Sequence, residues 1–287
     1  MAKSIHRQIK SDFNPMTQAK VCFIGAGNMP RAIISGLVTN GYPAKRVHAT
    51  NPSVGKLDAL KADFGIQVSH DNVAAADDAD VIVLSVKPQL MQMVCEQLSH
   101  LDLSNKLLIT IAAGIPAARY QDFFKQQVKL IRAMPNTPTQ IGVGMTGIFA
   151  DDTISDEQKQ ICETLMKTGG EVVWVQKEDE LNQVIALAGS SPAYFFLFIE
   201  SMIQHGIKAG MDEQTARALA QQAALGAAQM VVQNPELSLE TLRTNVMSKG
   251  GTTARAVETF EEGNLRGLVD QAMTNCIKRA EEMAKTF

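Results

Sequence analysis

The sequence has no Cys-x-x-Cys pair and no His-x-x-x-His spacing. Its four cysteines, Cys22, Cys95, Cys162 and Cys276, are scattered. A soluble chain of this size needs no covalent staples, so they read as reduced thiols of a cytoplasmic protein. The five histidines, His6, His48, His70, His100 and His205, lie far apart, and no metal site is expected from them. An excess of positive charge is missing too. With 27 Lys and Arg against 30 Asp and Glu, the formal charge is −3 and the pI about 6.0. No basic field exists to draw in nucleic acid or anionic lipid, so neither is an expected partner. The longest apolar runs, over 81–86 and 107–113, fall far short of the roughly 18 residues a membrane span needs, so no segment is expected to cross a bilayer. The start carries Lys3, Arg7, Lys10 and Lys20 without an apolar segment, and residues 1–19 read as a short extension rather than a secretory signal. There is also no Ser-His-Asp signature, no internal repeat and no low-complexity stretch.

What is present is a globular composition. The chain has 287 residues, 45% hydrophobic and 20% charged, enough for about two domains. Up to residue 175, short β-branched runs alternate with helical stretches: 20–24, 46–50, 81–86, 107–112, 129–134, 145–150 and 171–175. Alternation of this kind predicts α/β architecture, a mostly parallel, doubly wound sheet, and several runs are apolar throughout, as strands covered on both faces are. Beyond Val175 no convincing strand follows. Ala-, Leu-, Gln- and Met-rich stretches over 181–205, 212–233 and 264–285 predict an all-helical second part. The recurring Ala216, Ala220, Ala223, Ala224, Ala227 and Ala228 fit either a close-packed internal bundle or a subunit interface. The polar string Lys177-Glu178-Asp179-Glu180 sets the expected boundary, giving domains of 1–177 and 178–287.

The strand 21–24 is followed by Gly25-Ala26-Gly27-Asn28-Met29-Pro30 and then by an apolar helical run through Ile33, Ile34 and Leu37. Strand, glycine turn and helix in this order form a dinucleotide site. The first glycine permits the turn, the second lets a pyrophosphate approach the backbone, and the helix start supplies N–H groups and a positive dipole end. Pro30 replaces the usual third glycine; proline is tolerated in a first turn. The second strand runs out at Asn51-Pro52-Ser53, where an adenosine ribose would normally meet Asp or Glu. A hydroxyl at Ser53 and an ammonium at Lys56 suit a 2′-phosphate instead, which points to NADP(H), with NAD(H) still possible and a plain solvated loop as the alternative.

Several strings together resemble the pyrroline-5-carboxylate reductase family, from Val21 nearly to the C-terminus. They are Phe23-Ile24-Gly25-Ala26-Gly27-Asn28-Met29, Val86-Lys87-Pro88, Ala112-Ala113-Gly114, Arg132-Ala133-Met134-Pro135-Asn136-Thr137-Pro138, Gly189-Ser190-Ser191-Pro192-Ala193-Tyr194 and Val246-Met247-Ser248-Lys249-Gly250-Gly251-Thr252-Thr253. Ser191 and Lys249 depart from the family's usual Gly and Pro. The resemblance implies hydride transfer from NAD(P)H to the C=N carbon of 1-pyrroline-5-carboxylate, giving L-proline. A cyclic imine asks the protein mainly for position, since the cofactor carries the difficult step. Ser248, Gly250, Gly251, Thr252 and Thr253 ahead of the helical run 254–260 can form a nest of N–H groups for the substrate carboxylate, or serve only as a helix cap. By the resemblance the Thr253 hydroxyl meets the imine nitrogen, and as a weak acid its role is orientation first. The resemblance further implies that Asn72 contacts the cofactor ribose and that Asn245 reaches the cofactor from the helical domain. It also implies that Val86, Lys87, Pro88, Ala113, Gly114, Met134, Pro135 and Asn136 line the crevice at the carboxyl ends of the strands. In the family the helical domain interlocks two subunits, so a homodimer is implied, with larger rings of dimers among relatives.

Two competing readings share the fold. A β-hydroxyacid dehydrogenase or imine reductase would place a lysine on the helix that starts near Gly189, and none occurs there before Lys208. A non-catalytic dinucleotide sensor would have no need of the nest at residues 248–253.

Overall fold

A computed structural model describes residues 19–285. The extension read ahead of the first strand lies, apart from Ala19, outside the described residues. Eight strands, β1 Val21–Ile24, β2 Val47–Thr50, β3 Gln67–Ser69, β4 Val81–Leu84, β5 Leu107–Thr110, β6 Lys129–Pro135, β7 Gly144–Ala150 and β8 Gly170–Trp174, build one sheet in the order β3-β2-β1-β4-β5-β6-β7-β8. Every neighbouring pair is parallel except β6 with β7. The link over 136–143 explains the exception, being shorter than the dozen or so residues that a parallel crossover needs.

Alternation sorts the strand side chains onto two covered faces. Val21 and Phe23 join one core with Val47, Val83, Ile109 and Ile131, whereas Cys22 and Ile24 join the other with Ile82, Leu84 and Leu108. Helix α1 (Asn28–Thr39) buries Ile33, Ile34 and Leu37 in the first core, and α2 (Val54–Phe64) adds Leu57 and Leu60. Helices α3 (Asn72–Asp77), α4 (Pro88–Leu98) and α5 (Ala117–Phe124) cover the second core. Helix α6 (Asp156–Lys167) is started by a capping box between Ser155 and Gln158 and packs its Cys162, Leu165 and Met166 into the first.

Strand β3 is absent from the sequence expectation because Gln67-Val68-Ser69 is three residues long, mostly polar and at a sheet edge, so it gives neither an apolar run nor a periodic signal. Close packing of α1 occurs at Gly36, where a Cβ would stand 2.7 Å from the Thr168 carbonyl oxygen. The close approach that a glycine at position 30 would permit is thus made two turns later, against a different part of the unit.

Packing divides the chain into two compact units, one made of residues up to Ser190 with those from Cys276 onward, the other Ser191–Asn275. The division falls beyond the polar stretch at Lys177, because α7 (Glu180–Val184) buries Leu181 and Val184 against Met134 of β6. In the second unit α8 (Ser191–Lys208) and α9 (Glu213–Gln233) approach closely at Gly206, where a Cβ would lie 3.1 Å from the Ala216 Cβ. The alanine series of α9 therefore splits. Ala216 and Ala220 are buried, whereas Ala223, Ala227 and Ala228 are exposed. Helices α10 (Leu239–Asn245) and α11 (Thr252–Glu262) complete this unit, and the Phe198 and Phe260 rings meet at 5.9 Å. Helix α12 (Leu265–Ala284) starts in the second unit and ends in the first.

The helical stretch Glu180–Lys208 has 29 residues and a mean hydropathy of 1.4 in its most apolar window, with 11% of that window buried, so by length and composition it could cross a membrane. No unbroken apolar run marks it, because Ser190, Ser191 and Glu200 interrupt the stretch without lowering its average much, and one such helix is weak evidence of a span. On α8, Phe195, Phe196 and Leu197 are each more than 60% exposed, a patch that a soluble monomer rarely leaves uncovered.

Candidate active site

The first unit gathers most of the predicted residues along one sheet edge. Strand order reverses between β1 and β4, and in open parallel sheets ligands bind at such a point, beyond the carboxyl ends of the strands. Gly25 to Met29 follow β1; Asn51, Ser53 and Lys56 follow β2; Asn72 follows β3; Val86, Lys87 and Pro88 follow β4; Ala113 and Gly114 follow β5; Met134, Pro135 and Asn136 close β6. The register of the parallel strands places all six ends on the same side.

The two loop glycines have different reasons to be glycine. Gly25 takes φ +109° and a Cβ there would stand 2.8 Å from the Ser85 carbonyl oxygen, so the fold itself demands it. Gly27 has φ −80°, and a Cβ there would meet only Pro30 Cδ, at 3.9 Å. Among the described residues nothing excludes a Cβ at Gly27. The space above it opens at the start of α1, whose first turn has no acidic residue and, as in every helix, N–H groups lacking intrahelical partners. An anion approaching that backbone is what a side chain would obstruct, and the pyrophosphate of a dinucleotide fits this cradle. The loop is held rigid from below. The Gly25 N–H donates to Thr50 O at 2.9 Å, the Ala26 N–H to Asn51 Oδ1 at 3.3 Å, and the Ser85 hydroxyl to Ile24 O and Gly25 O at 2.9 and 3.1 Å.

Asn51 is thus a loop clasp, and it leaves no carboxylate at the end of β2. Ser53 occupies the position before α2 without capping it, and both it and Lys56 are exposed at a helix start free of acidic residues. Arg31 is not free to join them, being paired with Asp63 and stacked 5.1 Å over the Phe64 ring. Asn72 opens α3, accepts the Thr50 hydroxyl at 2.6 Å and donates to Gln97 at 3.3 Å, which fixes its amide. Lys87 stands exposed before α4, with Pro88 in the first turn.

Three of the residues implied by the resemblance have structural occupations of their own. Asn136 is 8% exposed, donates to Ala188 O at 3.0 Å and accepts the Met145 N–H at 2.9 Å, tying β6 to β7 and to the wide helical turn Ile185–Gly189. Met134 is buried with Leu181 and Val184. Gly114 has φ +78°, and a Cβ there would lie 3.1 Å from Met283 Cβ, so turn geometry and packing already account for its small size.

Sequence reasoning missed Thr50, Ser85 and Thr110. Their signal is a hydroxyl at or just past the end of an otherwise apolar strand, where it can bond backbone in a neighbouring turn. Burial pushes the Cys22 and Cys95 thiols up to about 12 and Cys162 higher still, so none of the three is a nucleophile at neutral pH. Among the described residues no three His, Cys, Asp or Glu side chains cluster as metal ligands would.

In the second unit, Asn245 ends α10, and residues 246–251 lead into α11. Gly250 takes φ +74°, and the Gly251 N–H donates to Ser248 O at 2.9 Å. The Ser248 hydroxyl lies against Gly251 where a Cβ would go. Gly251 precedes α11 with no side-chain cap, Thr252 and Thr253 open it exposed, and its first turn carries no acid. A hydroxyl and several N–H groups therefore converge with nothing to neutralise an anion's attraction to them.

Residues 178–283 match the family model described as pyrroline-5-carboxylate reductase dimerisation, and residues 20–114 the model described as NADP oxidoreductase coenzyme F420-dependent. Over 272 residues the chain is 54% identical to pyrroline-5-carboxylate reductase of Vibrio alginolyticus, covering 95% of this chain and 100% of that one. It is 34% identical to the Escherichia coli K12 protein of the same name, covering 94% and 100%. Among solved structures, a pyrroline-5-carboxylate reductase from Coxiella burnetii matches with a TM-score of 0.87 at 40% identity, covering 93% of this chain and 99% of that one. The Plasmodium falciparum pyrroline carboxylate reductase with NADP bound matches with a TM-score of 0.83 at 26% identity, covering 93% and 98%.

Proposed function

The chain belongs to the pyrroline-5-carboxylate reductase family, and from that premise we propose how its residues divide the work. It is an NAD(P)-dependent oxidoreductase that reduces the C=N bond of 1-pyrroline-5-carboxylate to L-proline, the closing step of proline biosynthesis. The bound nicotinamide supplies the hydride. The chain itself must bind two anions, orient a ring and exclude water.

The open space over Gly27, at a helix start on the switch point of the sheet, is the observation that carries the cofactor assignment. Gly25, Ala26, Gly27, Asn28 and Met29 take the pyrophosphate. Asn72, its amide oriented by Thr50, takes a ribose, and Lys87 with Val86 and Pro88 borders the same crevice. Ala113 and Gly114 form the turn beside the nicotinamide, supported by Met134, Pro135 and Asn136 from β6. The absence of a carboxylate at Asn51, with Ser53 and Lys56 unengaged at the start of α2, favours NADP(H) over NAD(H). Lys56→Glu should raise the KM for NADPH about tenfold, roughly the value of one charge-assisted hydrogen bond, and leave NADH kinetics within about twofold. Equal effects on both nucleotides in steady-state assays would remove Lys56 from the 2′-phosphate site.

Ser248, Gly250, Gly251 and Thr252 take the substrate carboxylate at the start of α11. Thr253 orients the imine nitrogen, and Asn245 reaches the cofactor. Thr253→Ala should lower kcat about tenfold, the value of one well-placed hydrogen bond, with NADPH affinity by fluorescence titration unchanged within about twofold. Parallel loss of both would refute this division of labour.

The match of residues 178–283 to a dimerisation model and the exposed phenylalanines of α8 support a homodimer through the helical unit, and a ring of such dimers remains open to the same surface. All four cysteines are free, which suits the cytoplasm. The decisive assay is loss of nicotinamide absorbance with 1-pyrroline-5-carboxylate, run beside a carboxylate-free pyrroline. Turnover that needs the carboxylate supports reductase and nest together; nucleotide binding without turnover would turn the reading toward a sensor.

A further inference from the structure

The sheet is apolar along most of its length, yet two polar side chains stand together near the end of its central strands. Thr110 closes β5, and Arg132 is its register partner on β6; they are 0% and 7% exposed. The Thr110 hydroxyl shares a 2.6 Å hydrogen bond with the Tyr120 hydroxyl of α5, and its oxygen also accepts the Ala112 N–H at 3.3 Å. Arg132 Nη1 donates to Glu178 Oε1 at 2.6 Å, and the same carboxylate oxygen accepts the Ala117 N–H at 2.6 Å. The segment between β5 and α5 is therefore gripped by side chains at both ends, at the Ala112 N–H on entry and the Ala117 N–H on exit. Its apex is pinned as well, because Met283 fills the space beside Gly114.

Stability alone is a poor reason for such a network. Arg132 is buried and its partner Glu178 is half-buried, so the desolvation of the guanidinium offsets much of what the pair returns, and Arg132 Nε has no partner among the described residues, which adds to the cost. What the pair supplies is a geometry, since the buried guanidinium and the Ala117 N–H converge on one Glu178 oxygen. The geometry it fixes is that of the turn carrying Ala113 and Gly114.

We propose that Glu178 and Arg132, together with Thr110 and Tyr120, are positioning residues that set the height of the turn at Ala113 and Gly114 against the nicotinamide ring. This rests on the reading that places the nicotinamide there. None of the four touches a reacting atom; each acts through the backbone of the turn. A displacement of about an ångström at a reacting centre can cost up to a hundredfold in rate, so a small relaxation of the turn should register.

The test uses the full-length protein with Glu178→Gln and Tyr120→Phe. The first weakens the exit grip and the second removes only the hydroxyl that orients Thr110, so one variant can decide if the other fails to fold. Three readouts are compared: amide hydrogen exchange over residues 111–117, affinity for NADPH beside adenosine 2′,5′-bisphosphate, which lacks the nicotinamide, and single-turnover NADPH oxidation well below the melting temperature. The expected result is faster exchange in the turn, NADPH binding weakened about fivefold with the adenosine fragment unchanged within about twofold, and single-turnover oxidation slowed about tenfold. Unchanged exchange with single-turnover rates within about twofold of the parent overturns the proposal, even if the melting temperature falls. Equal weakening of NADPH and the fragment overturns it too. A parent protein that fails to reduce the imine at all would instead sink the functional reading.

Discussion

Gly27→Val should bind NADPH at least about a hundredfold more weakly than the parent protein while unfolding, without nucleotide, at nearly the same temperature. The argument is a contrast between two glycines two residues apart. At Gly25 the backbone has φ +109° and a Cβ would press on the Ser85 carbonyl, so substitution there attacks the fold. At Gly27 the backbone is ordinary, and a Cβ would meet nothing nearer than Pro30 Cδ at 3.9 Å. Gly27 is also the N-cap of α1, where valine is less favoured than glycine, so a valine there should cost the empty protein about 1 kcal/mol, a few degrees in melting temperature. On the proposed placement of the pyrophosphate it would stand between the phosphate oxygens and the helix N–H groups. Losing two charge-assisted hydrogen bonds at about 1.5 kcal/mol each removes about 3 kcal/mol, or roughly a hundredfold in affinity. Calorimetric titration of NADPH beside thermal unfolding of the nucleotide-free protein checks both halves. A variant that binds NADPH normally would mean that the pyrophosphate lies elsewhere; one that melts far lower would mean that Gly27 is a structural glycine after all.

That contrast also marks how far the sequence could be read. Gly25-Ala26-Gly27 after an apolar run identifies the loop, because the turn and the phosphate both act on adjacent residues. Seven of the eight strands announce themselves by apolar runs, and β3 does not, since at the edge only pairing to β2 makes Gln67-Val68-Ser69 a strand. Side-chain partners across the sheet were less legible. Asn136 sits in a string shared with the family's site motif, yet its amide is occupied by Ala188 and Met145, residues brought to it only by folding. Gly114 reads as small for a ligand's sake, and φ +78° and Met283, distant in sequence, give it a second reason that the sequence does not show. Glu178 lies in the polar string that served to mark a domain boundary, whereas in the structure its carboxylate caps α5 and holds Arg132. Residues whose role is fixed by local backbone could be read from neighbours; those whose role is fixed by a partner dozens of residues away could not.

Phe196→Glu is the second substitution expected to have a large effect, slowing turnover about a hundredfold or more by dissociating the proposed dimer. Residues Phe195, Phe196, Leu197 and Phe198 are exposed on consecutive positions of α8, so its first half is apolar nearly all round, a pattern that belongs in an interior. Leu219, Leu225, Met230 and Val232 of α9 and Leu268 of α12 extend the exposed apolar surface of the same unit. Burying one such side chain is worth about 1.5–3 kcal/mol, so a handful suffices for a stable subunit contact. The helical stretch Glu180–Lys208 could answer the same demand by entering a bilayer, but Glu200, Gln204, His205 and Lys208 punctuate its second half, and the dimerisation model covers it. In the proposed dimer interface a carboxylate at position 196 would be stranded without a partner, at a cost of several kcal/mol, whereas the isolated subunit would welcome it. Sedimentation should then report a folded monomer with unchanged helix content. With the proposed carboxylate nest in the helical unit and the proposed cofactor loop in the other, this monomer should still bind NADPH but turn over at least about a hundredfold more slowly. A Phe196→Glu protein that stays dimeric and fully active would move the subunit contact off α8, and a monomer that keeps its full turnover would show that one chain holds the whole site.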